Sequence, residues 1–284
     1  MGKGLKVVRT VKDLRKQVAK WRESGKSIAL VPTMGALHRG HLSLVELAGR
    51  KTDRVIVSIF VNPAQFAANE DLARYPRDEA GDLEKLSTVA ASLVWSPSAD
   101  EMYGPNFATR IVPEGAAEGL EGEFRPHHFG GVATVCCKLF AQVTPDVAIF
   151  GEKDYQQLTV LRQMVRDLNL PLKIIGAPTM RETDGLALSS RNRYLSTEER
   201  KIAPGLYKIV SELADKVGDG ADIASSASNA RIKLRAAGFS KVDYLEVRDA
   251  ATLGAVTAMN GGKLRVLAAA WLGKTRLIDN VAVE

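Results

Sequence analysis

With 284 residues, 45% hydrophobic and 25% charged, the chain is long enough to bury a large core in two domains and has the composition of a soluble globular protein. Its formal net charge of +6 comes from 39 basic residues interspersed among 33 acidic ones, without a Lys/Arg run or an aromatic ladder; this argues against a nucleic-acid partner and fits a positive cleft for small anionic substrates. No apolar run approaches the roughly 20 residues of a membrane helix, residues 1–6 lack the apolar centre of a secretory signal, and the two cysteines, Cys136 and Cys137, adjoin in an apolar segment, so the expected setting is the reducing cytoplasm.

Val11, Leu14, Val18 and Trp21 recur at helical spacing behind a Thr10–Asp13 capping pair, which predicts a first helix. Residues 27–31 read as a buried strand ending at Pro32, which has no N–H to give to a sheet ladder. A turn, Thr33-Met34-Gly35-Ala36-Leu37, leads to His38-Arg39-Gly40-His41, after which Leu42, Leu44, Val45, Leu47 and Ala48 resume at helical spacing. His38 and His41 therefore stand where a strand passes into a helix. In an open parallel sheet that place is the ligand crevice, and the N–H groups and positive dipole end of a first helical turn suit phosphate. Residues three apart share a helix face, so both imidazoles address one ligand, and Gly40 lets a bulky group approach the backbone. The spacing is not that of the zinc-binding His-Glu-x-x-His motif.

Residues 54–61 are almost continuously apolar, as a strand buried on both faces should be, and strand, helix, strand implies a right-handed parallel crossover. Asn62 and Gln65 follow its carboxyl end and face the same crevice, where their amides suit a hydroxyl and a carboxylate. Residues 70–82 read as a polar loop ending in Asp82, an acid at a helix start, and residues 92–95 as a short strand. Residues 115–131, glycine-rich and carrying Arg125, His127 and His128, predict a mobile loop over the site. Val132, Val135, Cys136, Leu139, Phe140 and Val143 then form a helical stripe in which the cysteines pack. The strand at 146–150 delivers Gly151-Glu152-Lys153-Asp154 to the crevice. Lys153 can offset phosphate charge that grows during nucleotidyl transfer, Asp154 can hold ribose hydroxyls or orient the lysine, and Gln157 points toward the strand ends.

Residues 172–175 complete a sheet of about five strands, and composition shifts after Gly176. Leu188-Ser189-Ser190-Arg191, in a loop running from Met180 to Tyr194, puts two hydroxyls and a guanidinium in sequence, a set suited to triphosphate oxygens. Amphipathic helices at 202–217 and 224–237 precede strands at 242–247 and 264–270, with a turn at Asn260-Gly261-Gly262. The expected architecture is α/β, a Rossmann-like open parallel sheet with helices on both faces (1–176) and a smaller α+β C-terminal domain (177–284).

Val31-Pro32-Thr33-Met34-Gly35, Ser58-Ile59-Phe60-Val61-Asn62-Pro63 with Gln65-Phe66, Gly151-Glu152-Lys153-Asp154-Tyr155-Gln156-Gln157 and Leu188-Ser189-Ser190-Arg191-Asn192 resemble the blocks of the pantothenate synthetases, or pantoate–β-alanine ligases, within the nucleotidyltransferase superfamily marked by His-x-Gly-His. The resemblance covers about residues 7–280, closing on Arg276-Leu277-Ile278-Asp279-Asn280. It implies an ATP- and Mg2+-dependent homodimer that joins pantoate to β-alanine through a pantoyl adenylate, releasing pyrophosphate and AMP. It implies catalytic roles for His38, His41 and Lys153, with His41 the proton donor. ATP contacts would come from Met34, Gly35, Ala36, Leu37, His38, Arg39, Gly40 and His41, from Gly151, Glu152, Lys153 and Asp154, and from Met180, Leu188, Ser189, Ser190 and Arg191 on a closing loop of the C-terminal domain. Pantoate contacts would come from Asn62, Gln65 and Gln157, with Phe60 and Phe66 as apolar wall and Gln65 also meeting β-alanine. Magnesium would be carried mainly by the triphosphate, with Asp82 at the family's metal-serving position; Gly81 stands where some members have a second acid. The competing readings are a transferase of the same superfamily acting on a phosphorylated acceptor, for which Gln65 and Gln157 are poorly cationic, and a silent nucleotide-binding regulator.

Overall fold

The computed structural model describes residues 5–66, 72, 75–258 and 261–284. Residues 1–4, four residues of the stretch expected as a loop at 70–82 (70, 71, 73 and 74) and Asn260 of the expected turn lie outside the described residues. The chain forms two compact units: Met1–Glu152 with Val160–Pro178, and Lys153–Thr159 with Thr179–Glu284.

Among the described residues, the first unit holds a wholly parallel sheet of six strands: β1 (Val7–Val8), β2 (Ile28–Thr33), β3 (Arg54–Ile59), β4 (Leu93–Trp95), β5 (Val147–Gly151) and β6 (Lys173–Ala177), in the order β1-β4-β3-β2-β5-β6. The strand beyond the expected five is β1, two residues long and too short to show a period, paired Val7 to Val94 and Val8 to Trp95. Pro32 does not end β2 but lies inside it, opposite Ser58. Ile28 turns its carbonyl to Asp146 ahead of β5 and Thr33 turns its carbonyl to Phe60 after β3. By alternation, the N–H that Pro32 lacks would face β5, where pairing extends only over Ala29 and Leu30.

Val55, Ile56 and Val57 are all buried, so both faces of the sheet are covered. The helices of this unit are α1 (Val11–Glu23), α2 (Arg39–Gly49), α3 (Glu79–Ser87), α4 (Ala99–Tyr103), α5 (Glu121–Phe124) and α6 (His128–Val143), together with most of α7 (Tyr155–Asp167), through which the division between units passes. Thr10 caps α1 by accepting from the Asp13 N–H, as its sequence predicts. Cys136 is buried in α6, and that burial pushes its thiol up to about 12, so it packs as an unreactive thiol. Residues 115–131 are not an open loop: they form a turn at Gly115–Ala117, α5 and the start of α6, with Ala116, Leu120, Glu121, His128 and Phe129 buried. Because β2 is flanked on one side by β3 and on the other by β5, the strand order reverses at β2, and the crevice beyond the carboxyl ends there is the ligand position of this architecture.

In the second unit, β7 (Lys241–Asp249), β8 (Leu264–Leu272) and β9 (Thr275–Ala282) form an antiparallel sheet. It shares one apolar core with α8 (Thr197–Ile202), α9 (Gly205–Gly218) and α10 (Ile223–Ala236), built from residues such as Leu206, Val210, Leu234, Leu245 and Val266. The helix expected from 202 begins only at Gly205, since Pro204 is its N-cap.

Candidate active site

His38 is the N-cap of α2 and His41 is its third residue. The two rings lie side by side, centroids 4.0 Å apart. The His38 N–H donates to His41 Nδ1 at 3.3 Å. A backbone N–H is only a donor, so Nδ1 must be the bare nitrogen and the ring proton sits on Nε2. The residues just ahead hold a tight turn, with Gly35 at φ 81° and Ala36 at φ 51°. Left-handed backbone is costly for alanine. The offset is Asp82 on α3, almost fully buried, whose two carboxylate oxygens accept from the Ala36 N–H (2.8 Å) and the Leu37 N–H (2.7 Å). Gly35 is required as well as permitted: a Cβ there would lie 3.0 Å from Asp82 Oδ2 and 3.2 Å from Ile59 Cγ2. Thr33 ties the turn to β3 through Ser58 O (2.7 Å).

Asn62 caps a short turn, Pro63–Gln65, and its amide has four partners. Nδ2 donates to Gln65 Oε1 (3.1 Å) and Gly131 O (3.2 Å); Oδ1 accepts from Ala64 N–H (3.2 Å) and from the Tyr103 hydroxyl. Burial pushes that hydroxyl up to about 12, with Cys136 adding to it, so Tyr103 stays a donor. Gln65 Nε2 reaches Met34 Sδ at 3.1 Å, which sets the amide beside the turn that carries the histidines. Its backbone carbonyl is held by Arg125 Nη2 (3.3 Å) and His128 Nδ1 (3.1 Å), and Arg125 pairs with Glu121. Phe60 is buried, and Phe66 packs edge-on against Tyr75. Arg125 and His128, expected on a mobile loop over the site, instead hold the Gln65 carbonyl, while Tyr103, which no sequence motif marks, holds Asn62.

In the second unit, Lys153 Nζ lies 3.7 Å from Asp154 Oδ1, with the lysine side chain mostly covered. Gln157 follows in the first turn of α7 and is partly buried. Residues 180–188 are not a plain loop. They close as a turn with an Arg181–Ala187 bridge, Leu188 N–H bonded to Met180 O (2.9 Å) and Gly185 at φ 93°. Ser189 then caps a 3-10 turn, Ser190–Tyr194, by accepting from the Arg191 N–H. Ser189, Ser190 and Arg191 are all partly exposed on it.

Among the described residues, no group of three or more His, Cys, Asp or Glu side chains could hold a metal ion. Both Asp82 oxygens already bind backbone N–H groups and Gly81 adds no second carboxylate, so the donor set does not make a protein-held cage for magnesium.

The family model described as pantoate-beta-alanine ligase matches residues 6–282. A pantothenate synthetase of Rhodospirillum rubrum is 53% identical over 281 residues, 99% of this chain and 100% of its own length. One of Caulobacter vibrioides is 54% identical over 98% of each chain. Among solved structures, the pantothenate synthetase of Thermus thermophilus superposes with a TM-score of 0.92 at 45% identity, over 98% of this chain and 99% of that one. A pantoate-beta-alanine ligase of Francisella tularensis, complexed with beta-gamma ATP and beta-alanine, gives 0.82 at 34% identity, over 98% and 97%.

Proposed function

This chain belongs to the pantoate-beta-alanine ligase family and joins pantoate to β-alanine using ATP, and from that premise we propose how its residues divide the reaction. The pantoate carboxylate attacks the α-phosphorus of ATP in line, pyrophosphate leaves, and pantoyl adenylate stays bound. The neutral amine of β-alanine then attacks the acyl carbon, and AMP departs with both electrons of the broken C–O bond. The observation that carries this reading is the paired His38–His41 arrangement, with the His41 proton left on Nε2, at the start of the helix that follows the carboxyl end of β2.

In this scheme His41 donates to a phosphate oxygen as charge develops and His38 binds beside it. Met34, Gly35, Ala36, Leu37, Arg39 and Gly40 line the nucleotide, as do Gly151, Glu152, Asp154, Met180 and Leu188. Lys153 offsets charge at the α-phosphate, and Ser189, Ser190 and Arg191 hold the outgoing pyrophosphate. Gln65 and Gln157 bind pantoate, Asn62 reaches it by exchanging its bond to Gln65, and Gln65 turns to β-alanine in the second step. With no protein cage for it, magnesium would come with the triphosphate and would supply charge neutralisation there. The amide step needs little acid catalysis because AMP leaves readily; it needs positioning and exclusion of water from a mixed anhydride. Residues 1–176 act as the nucleotide- and pantoate-binding domain and 177–284 as the domain carrying the phosphate loop and lid, in a cytoplasmic homodimer.

Exchange of labelled pyrophosphate into ATP, without β-alanine, tests the scheme. Exchange that depends on pantoate is expected. Pantothenate formed without such exchange would exclude reversible release of pyrophosphate before the amine acts. Loss of both would turn attention to phosphorylated acceptors.

A further inference from the structure

We propose that Asp279 and Asn280 are a positioning pair that fixes Lys153 and the 180–191 segment to one strand, β9, and so sets the geometry of both phosphate-facing cations; the proposal rests on the roles given above to Lys153 and Arg191. Successive residues of a strand point to opposite faces, and here two polar ones in succession are each 4% exposed. Each has side-chain partners within the second unit.

Asp279 receives the Arg181 guanidinium as a fork, Nη1 to Oδ2 at 2.6 Å and Nη2 to Oδ1 at 2.9 Å. The same guanidinium lies 3.6 Å above the Tyr207 ring and donates to Gly185 O at 3.1 Å. Arg181 is thus locked on three sides at the base of the turn that leads to Ser189 and Arg191. Gly185 cannot be replaced without moving Tyr207, since a Cβ there would lie 2.7 Å from the ring.

Asn280 works on the other segment. Its Nδ2 donates to the backbone carbonyl of Lys153 at 2.8 Å, and its Oδ1 accepts from Arg265 Nε at 2.6 Å. Arg265 lies 3.8 Å over the Tyr155 ring, whose hydroxyl donates to Ala250 O at 2.8 Å. Residues 153 and 155 are therefore each pinned, one by its carbonyl and one by its ring. A buried ion pair and amide add little stability that apolar residues would not supply. Their value lies in direction: adjacent positions of one strand reach the two segments that carry Lys153 and Arg191.

Asn280→Asp isolates the claim. It keeps the size and the Arg265 partner but sets a carboxylate oxygen against the Lys153 carbonyl. In the purified full-length enzyme, kcat should fall by on the order of tenfold with the pantoate KM within about twofold, in line with loss of transition-state alignment. In a Lys153→Ala background the same change should alter kcat by less than about twofold, because the group being positioned is gone. An equal loss in both backgrounds, or an unchanged kcat, would overturn the Asn280 half. Wild-type turnover of Lys153→Ala alone would instead sink the reading of Lys153. Arg181→Lys keeps the charge without the fork and reads the other half without touching Asn280. Slower pantoate-dependent pyrophosphate exchange is expected, and an unaltered rate overturns the role of Asp279.

Discussion

The Nε2 proton of His41 is fixed by a main-chain contact, since the His38 N–H occupies Nδ1. His41→Ala should therefore cut kcat by on the order of tenfold to a thousandfold while substrate KM values move little, as for loss of an interaction made in the transition state. Steady-state kinetics decide, and an unchanged kcat removes His41 from the chemistry. Asp82 acts one step further back. Asp82→Asn turns an NH2 toward one of two buried N–H groups, at a cost of about 1–3 kcal/mol. The melting temperature should fall and kcat should fall with it; a variant with native activity would show that the Ala36–Leu37 turn holds itself. Asp82 reads in sequence as an acid at a helix start. Only folding shows that its carboxylate reaches residues 46 and 45 positions earlier.

At the scale of elements, α6 reaches the Gln65 turn through Gly131. A Cβ there would lie 2.3 Å from Ala64 O and 2.7 Å from Gln65 Cα, so main chain must move. Gly131→Ala is expected to raise the pantoate KM more than the ATP KM; titration of each substrate checks this, and equal effects on both would contradict the placement of Gln65. In the second unit Asp243 on β7 receives Trp271 Nε1 of β8 at 2.9 Å and Arg276 Nε of β9 at 2.7 Å, one carboxylate joining three strands. Burial works to raise its pKa, but hydrogen bonds from Lys241, Arg276 and Trp271 outweigh it and hold the group below the usual carboxylate range. A depressed folded pKa means that the stabilisation is present above the unfolded value of about 3.9 and is lost as pH falls through the folded one. Asp243→Asn should lower the melting temperature at pH 7, and the gap from wild type should close in acid. A gap independent of pH would refute the charge argument. Apolar alternation predicts no strand at β9 because Asp279 and Asn280 interrupt it, and those residues hold Arg181 and the Lys153 carbonyl.

For the whole molecule, a net charge of +6 spread among interspersed acids gives a weak, diffuse field. Binding to DNA should be non-specific and lost by about 0.2 M salt, because few phosphates would be neutralised together. Retention on a DNA column well beyond that salt would require a basic patch that the composition argues against. None of the described helices is long and apolar enough to cross a membrane.

The sequence by itself determined the parallel sheet, the strand-to-helix placement of His38 and His41 and the family, because these depend on local apolar periods, on turn residues and on contiguous motifs. Tertiary structure alone decided what holds those residues in place: Asp82 under the histidine turn, Arg125 and His128 on the Gln65 carbonyl, Asn280 on the Lys153 carbonyl. Each joins positions 45 to 127 residues apart. Such pairings leave no period in the chain, since they arise where strands and helices distant in sequence are packed side by side.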